Sequence, residues 1–335
     1  MEDHATPTPD LVAPSLRALL AEIVDYAGLF PPAELPLDEA LHNYTQYRDE
    51  EEAWMLARFV IPTKRLGDLS AYSGLFRRKA PYAFSVLGTG GATPADFLDA
   101  FASDLARIGA FETDHHDRVS ADAMEVRLPA PLQAGTTHAV LDFLTAVNQQ
   151  LVRHGTAKLD IFFEIAPSDE TLEALPAVAA AVAEHNSQGD VPLRSEVGLK
   201  LRCGGLKPSM VPTVPQVATF IDTCRRAGVR FKATAGLHHP VRHFDDTLET
   251  MMHGFFNVFG AAVFADAHAL DAAALHDILQ EDNPENFRFT KEAFGWREAL
   301  VPIDAVRAAR ASFAMSFGSC SFEEPVFDLR DLDLL

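Results

Sequence analysis

The sequence has few cysteines and no long hydrophobic run, and each shortage excludes a class of protein. Its 335 residues include 3 cysteines, at positions 203, 224 and 320, with no CxxC pair. We therefore predict neither a disulfide framework nor a structural zinc site. The longest strongly apolar stretch, Phe255 to Ala265, is interrupted by Asn257 and Gly260. It is about half the length that a membrane span needs, so no membrane segment is expected.

Basic residues are scarce relative to acidic ones. The chain has 28 Lys and Arg against 48 Asp and Glu, a formal charge of -20 at pH 7, and it contains no basic run. A surface of this sign repels polyanions, so nucleic acid is not an expected partner. Residues 1–10 lack the positive and apolar segments of a secretory signal, and we expect a cytoplasmic protein.

Apolar residues, in contrast, are abundant enough for a large core. They make up 48% of the chain, with 23% charged residues, which is typical of a globular protein rather than a disordered or fibrous one. From about residue 54, short β-rich runs alternate with longer helical patterns, as in parallel βαβ units. The predicted strands are Val24 to Phe30, Met55 to Ile61, Ala83 to Gly88, Ala123 to Leu128, Leu159 to Ile165, Val197 to Cys203, Val229 to Ala235 and Phe287 to Ala293.

The number and order of these units predict the fold class. Eight βα units in series favour an α/β protein with a closed (β/α)8 barrel, and an open doubly wound sheet is the alternative. We expect a single barrel domain over residues 1–335, with an N-terminal extension at 1–20 and a C-terminal tail at 317–335. The tail would wrap the barrel or a neighbouring subunit, which is compatible with a homo-oligomer.

Charged residues occupy one face of several predicted strands. Side chains two residues apart share a face, so Lys200 and Arg202 lie opposite the apolar Leu199 and Leu201 and are expected to point into the barrel. The same parity turns Lys232 inward on the seventh strand. It also turns three further groups inward on the fourth and fifth strands, namely Glu125, Arg127 and Glu164.

Two interpretations of these inward charges are open. Unpaired charges in a barrel cost several kcal/mol each, so the groups either form a structural salt-bridge network or line the solvated mouth where active sites lie. Two lysines on adjacent strands favour the functional interpretation. Lys200 and Lys232 would lower each other's pKa, and a lysine that is neutral near pH 7 is a nucleophile toward carbonyls.

Parts of the C-terminal half resemble the deoxyribose-phosphate aldolases. The similar segments are Leu159 to Glu164, Gly198 to Gly205 and Ala227 to Gly236, and Asn286 to Phe289 resembles the eighth strand of that family. The resemblance implies a class I aldolase barrel. In it Lys200 would form the Schiff base and Lys232 would lower the pKa of Lys200.

The sequence departs from that family in three places. The acid/base aspartate of the fourth strand has no clear match around Glu125, Arg202 stands beside Lys200, and Thr290 to Phe294 replaces the Gly/Ser phosphate loop. A sugar phosphate is therefore not the expected substrate. The arginines Arg127 and Arg202 favour a carboxylate, which a guanidinium binds through two parallel hydrogen bonds.

Four further residues are candidates on the predicted strands or at their ends. Asp25 is expected to orient a lysine or an arginine, Tyr26 to donate a proton, and Arg58 to bind an anion. Lys291, at the end of the predicted eighth strand, would bind substrate or pair with Glu292. Packing is the alternative role for Tyr26.

Two adjacent histidines follow the seventh strand directly. His238 and His239 fall on a loop at the predicted mouth, and such loops often carry function. Either one is a candidate general acid/base, or a divalent-metal ligand together with Glu164 or Glu125. A surface or packing role is equally open for each.

These observations lead to three hypotheses about function. The first is a lyase of the aldolase type, without a cofactor, in which Lys200 attacks the carbonyl of a small anionic molecule, Glu164 or Glu125 moves protons, and His238 assists. The second is a metal-dependent hydrolase, isomerase or lyase with Glu125, Glu164, His238 and His239 around one cation. The third is a non-catalytic barrel that binds a small anion.

Overall fold

The structure, a computed structural model, describes residues 12–156, 158–188 and 196–335. Residues 1–11 of the predicted N-terminal extension lie outside the described residues. The strands are β1 (Val24–Tyr26), β2 (Leu56–Pro62), β3 (Tyr82–Leu87), β4 (Val119–Arg127), β5 (Asp160–Ile165), β6 (Val197–Arg202), β7 (Phe231–Thr234), β8 (His243–Asp245), β9 (Thr250–Met252), β10 (Phe287–Phe289), β11 (Ala293–Trp296), β12 (Ala299–Pro302) and β13 (Ala314–Ser319).

Helices alternate with the strands along the chain. Those of the α type are α1 (Pro14–Leu20), α2 (Leu37–Tyr47), α3 (Pro94–His115), α4 (Ala130–Gln133), α5 (Thr137–His154), α6 (Asp169–Ser187), α7 (Val214–Ala227), α8 (Phe255–His268), α9 (His276–Gln280), α10 (Ile303–Ser312) and α11 (Glu323–Asp331). Their ends follow local chemistry. Thr213 and Gln216 form a capping box at the start of α7, and Gly155 and Gly228 adopt the left-handed conformation that ends α5 and α7.

The barrel consists of eight parallel strands, β1 to β7 and β13, and it closes because β13 pairs with both β7 and β1. Their spatial order is β1-β13-β7-β6-β5-β4-β3-β2, so the (β/α)8 fold predicted from the sequence is confirmed. The first seven predicted strands overlap the observed ones.

The predicted eighth strand is wrong. Residues 287–289 instead pair antiparallel with β11, in a three-stranded sheet outside the barrel. The eighth barrel strand is Ala314–Ser319, which pairs parallel with β7 and β1. Its small and polar residues lack the β-branched signal of a buried strand, whereas the aromatic run at 287–289 has a strong one. Residues 317–319 of the predicted tail therefore belong to the barrel, and 323–331 form α11.

Apolar packing lies mainly between the strands and the surrounding helices. On β6, Leu199 and Leu201 face this layer and are fully buried, while the alternate residues point into the barrel. The apolar stretch at 255–265 is the buried part of α8, which packs against α7 and α10. No helix in the described part of the chain is long and apolar enough to cross a membrane.

Candidate active site in the barrel interior

A row of alternating charges crosses the inside of the barrel. Each member contacts the next through an ion pair, from the N-terminal half of β2 and β4 to the C-terminal end of β6. We call this row the interior charge chain. Its members, in order, are Asp122, Arg58, Asp25, Lys232, Glu125, Lys200, Glu164 and Arg202.

Lys200 lies between two carboxylates. Its Nζ is 2.6 Å from Oε2 of Glu125 and 2.9 Å from Oε2 of Glu164. Strand pairing sets this arrangement, because Glu164 is the direct neighbour of Lys200 in the β5–β6 register. Lys200 is only 4% exposed. An ammonium group so deeply buried requires such partners.

Lys232 is the direct neighbour of Lys200 in the β6–β7 register. Its Nζ lies 2.7 Å from Oδ2 of Asp25 and 2.5 Å from Oε1 of Glu125. The hydroxyl of Ser85 donates to the same Glu125 oxygen at 2.7 Å, and Ser316 donates to Asp25 Oδ2 at 2.6 Å. Glu125 therefore bridges the two lysines.

The charge state of Lys200 differs from the prediction. Burial alone would lower its pKa, but the attraction of Glu125 and Glu164 outweighs burial and raises the pKa above the ordinary lysine value. The expected lowering of the Lys200 pKa by Lys232 is wrong, because Glu125 bridges the two ammonium groups and Glu164 adds a second negative charge beside Lys200. Burial would raise the pKa of Glu164, yet Lys200 and Arg202 hold it below its ordinary value. Lys200 is thus an ammonium ion at neutral pH.

Two arginines lie where the barrel opens at the C-terminal ends of its strands. Arg202, the last residue of β6, binds Oε1 of Glu164 through Nε at 2.8 Å and Nη2 at 2.7 Å. Arg127, the last residue of β4, is exposed and is the register neighbour of Glu164. It forms no ion pair with any described residue. Both guanidinium groups are near the surface above Lys200.

Comparisons with known proteins return only distant similarity. No protein-family model matches the chain, and no curated protein matches it. A tetrameric deoxyribose phosphate aldolase from Aeropyrum pernix aligns at 12% identity and TM-score 0.46, over 97% of this chain and 100% of that one. A lysine/ornithine decarboxylase from Vibrio vulnificus aligns at 14% identity and TM-score 0.35, over 91% of this chain and 59% of that one. Similarity at this level assigns no activity, and the barrel is established by its own strand pairing.

The two histidines after β7 contact the C-terminal helix. Nδ1 of His238 lies 2.9 Å from Oε2 of Glu324, and Nδ1 of His239 lies 2.6 Å from Oδ2 of Asp328. Both carboxylates belong to α11. The four-residue metal centre considered above does not form, and within the described ranges no three His, Cys, Asp or Glu side chains converge as ligands.

Two other predicted site residues, Tyr26 and Lys291, lie outside the barrel interior. Tyr26 is buried in the helix layer, stacked on Tyr44 with ring centroids 6.4 Å apart, since Asp25 takes the inward position on β1. Lys291 is exposed in the turn between β10 and β11, next to Thr290, whose carbonyl binds the Ser15 amide of α1. This turn is therefore outside the barrel.

Arg58 points inward as parity predicts, but it lies at the N-terminal end of the barrel rather than at the mouth. Its guanidinium binds both carboxylate oxygens of Asp122, each at 3.2 Å, and its amide donates to Asp25 at 3.1 Å.

Sequence reasoning missed Ser85, Ser316 and Asp122. Parity alone could have found Ser85, a polar residue on the inward face of a predicted strand. Ser316 was missed together with its strand. Asp122 is the extra residue of a β-bulge, because Phe84 pairs with Ala121 and Ser85 with Ala123. No sequence pattern predicts that bulge.

Proposed function

We propose that the protein is a (β/α)8 enzyme of the lyase or aldolase type, acting on a small anionic carbonyl compound through a Schiff base on Lys200. The observation that carries the proposal is the placement of the Lys200 ammonium between Glu125 and Glu164, at 2.6 and 2.9 Å, below the C-terminal opening of the barrel. Imine chemistry needs this combination of an amine and adjacent proton carriers.

The proton balance of imine formation suits a lysine that starts as an ammonium ion. Lys200 transfers a proton to a carboxylate, its neutral nitrogen adds to the carbonyl carbon, and the carbonyl oxygen leaves as water. Ammonium and carbonyl thus give iminium and water with no net change in protons. Glu164, the more accessible of the two carboxylates, needs to hold the proton only transiently.

An anionic substrate would help to free Glu164 from Arg202, so that Glu164 can act as the base. A substrate carboxylate that binds Arg202 competes with Glu164 for the guanidinium. Because Arg202 is one of the two cations that lower the Glu164 pKa, its loss makes Glu164 a stronger base beside Lys200. Arg127, exposed on the neighbouring strand end, is a second ligand for the same anion.

The decisive experiment traps the imine. The protein is incubated with a panel of small aldehydes, ketones and 2-oxo acids, reduced with borohydride, and examined by intact mass and peptide mapping. We expect one adduct, on Lys200, that is lost in Lys200→Ala. It should persist in Lys207→Ala, a matched control that removes an exposed lysine from the loop after β6.

Other outcomes contradict the proposal. An adduct on Lys232 would move the nucleophile to the seventh strand, and adducts spread over exposed lysines would indicate no special site. Absence of any adduct in the whole panel, even at alkaline pH, would favour the non-catalytic barrel, since a fully paired interior charge chain also serves a purely structural role.

A further inference from the structure

A cavity opens at the opposite end of the barrel from Arg202 and Arg127. Its volume is about 620 Å³, within the usual range for small-molecule sites. It is lined by α1, by the start of β13 at Met315 and Ser316, and by α10. The cavity therefore lies at the N-terminal ends of the barrel strands, whereas Arg202 lies at their C-terminal ends.

The cavity concentrates positive charge in an acidic protein. Four of the chain's 28 basic residues line it, namely Arg17, Arg58, Arg307 and Arg310, against one carboxylate, Glu22. Low-dielectric walls focus the field of such a cluster, so an anion is attracted here despite the formal charge of -20.

Two of these guanidinium groups have no carboxylate partner within the described residues. Arg17 lies over the ring of Trp54, 4.5 Å from its centroid. Arg310 donates only to backbone carbonyls, those of Leu19, Ala21, Ala314 and Met315. Burial lowers the pKa of Arg310 to about 10, against the weaker opposing pull of Asp25 and Glu22. A bound anion would stabilise both charges.

The other two arginines are paired in ways that an anion can compete with. Arg307 binds Asp304 at 3.0 Å in an exposed pair, and solvent weakens such pairs. Arg58 binds Asp122, which is 40% exposed, and also lies 3.7 Å from the buried Asp25, so an anion would compete only for its bonds to Asp122. Apart from Glu22 and Ser316, the remaining lining is apolar and includes Ala18, Ala311 and Met315.

We propose that this cavity is a binding site for a small molecule that carries a phosphate group on an apolar body. Several guanidinium forks around one space match the oxygens of a dianion better than a single carboxylate. The apolar lining accommodates the rest of the ligand. This site does not depend on the Schiff-base chemistry proposed for Lys200.

Titration calorimetry of the full chain tests the proposal with three probes: inorganic phosphate, phenyl phosphate and benzoate. We expect one equivalent of phenyl phosphate to bind more tightly than phosphate, and benzoate to bind most weakly. The double variant Arg17→Gln/Arg307→Gln, which changes two exposed side chains, should weaken phenyl phosphate binding by about tenfold or more. Arg153→Gln, at an exposed position on α5, is the matched control and should leave it unchanged.

Several results would overturn the site. Absence of saturable phosphate or phenyl phosphate binding at millimolar concentrations would do so, as would equal weakening by Arg153→Gln. Tighter binding of benzoate than of phenyl phosphate would refute the ligand class. Loss of binding in Lys200→Ala, with no effect of the arginine variants, would place the anion at the other end of the barrel. Melting temperatures of the unliganded variants check that each one is folded.

Discussion

At the scale of single residues, the protonation state of Lys200 governs the proposed chemistry. Glu125 and Glu164 raise its pKa, so the neutral amine is rare at pH 7. Near pH 7 the neutral amine arises mainly by internal proton transfer to Glu164, which does not depend on pH, whereas loss of the proton to solvent adds to it at alkaline pH. We therefore predict that the rate of borohydride-trapped adduct formation is nearly constant around pH 7 and rises only above about pH 10, near the ordinary lysine pKa.

Glu164→Gln removes one of the two carboxylates that raise the Lys200 pKa and should shift this profile to lower pH. The measurement is the adduct rate against pH for both proteins. A rate that already rises steeply between about pH 6 and pH 8 in the unmodified protein would contradict the assignment of charge, because it would require a lowered Lys200 pKa.

Glu125 is expected to be the most sensitive residue for stability. It is 3% exposed and bridges two buried ammonium groups. Glu125→Gln leaves both lysines with less than their full charge compensation, so we expect it to lower the free energy of unfolding by about 3–5 kcal/mol. Glu173→Gln, on the exposed face of α6, should change it by less than about 0.5 kcal/mol. Urea denaturation measures both, and equal midpoints would disprove the role of Glu125.

At the scale of elements, the inner face of β6 combines a small residue with two cations. Gly198 leaves room for Phe162, because an added Cβ would lie 2.7 Å from that ring and 2.8 Å from the Arg230 carbonyl oxygen. The Phe162 ring lies under Lys232, with Nζ 5.4 Å from its centroid. Filling this space therefore disturbs the strand spacing near both lysines.

Gly198→Ala should destabilise the fold by about 1–3 kcal/mol through overpacking. Gly67→Ala is the matched control, because nothing lies within 4 Å of its added Cβ. Thermal unfolding of the two variants distinguishes them. A Gly198 variant as stable as the control would show that β5 and β6 can separate without loss.

At the scale of the whole molecule, the interior charge chain joins both ends of the barrel and ties stability to pH. The lowered pKa of Glu164 means that its contribution is present above the unfolded value of about 4.3 and is lost as pH falls through the folded value. The raised pKa of Lys200 means that its contribution is present below about 10.4 and is lost as pH rises through the folded value.

We therefore predict that the stability difference between the unmodified protein and Glu164→Gln is widest between about pH 5 and pH 10 and shrinks at both extremes. Urea midpoints measured across pH test this. A difference that keeps growing on acidification would contradict the lowered pKa of Glu164.

Cytoplasmic location and a homo-oligomer stay predictions, which fractionation and light scattering would test.

Sequence patterns determined the repeated architecture and the direction of the key side chains. Alternation of short β-rich runs with longer helical patterns predicted seven barrel strands, and parity on β6 and β7 turned Lys200 and Lys232 inward. These features depend on residues close together in the chain, which is why periodicity captures them.

Only the tertiary structure decided which groups meet inside the barrel. Lys232 and Glu125 are 107 residues apart, and their contact exists because the strands close into a ring. Closure also placed Glu125 between the two lysines and Glu164 beside Lys200, and so reversed the expected pKa shift of Lys200. It brought His238 and His239 to α11, and it made the small residues of β13 the eighth strand. Each outcome depends on long-range pairing, whereas the sequence pattern reports only the local preference of each segment.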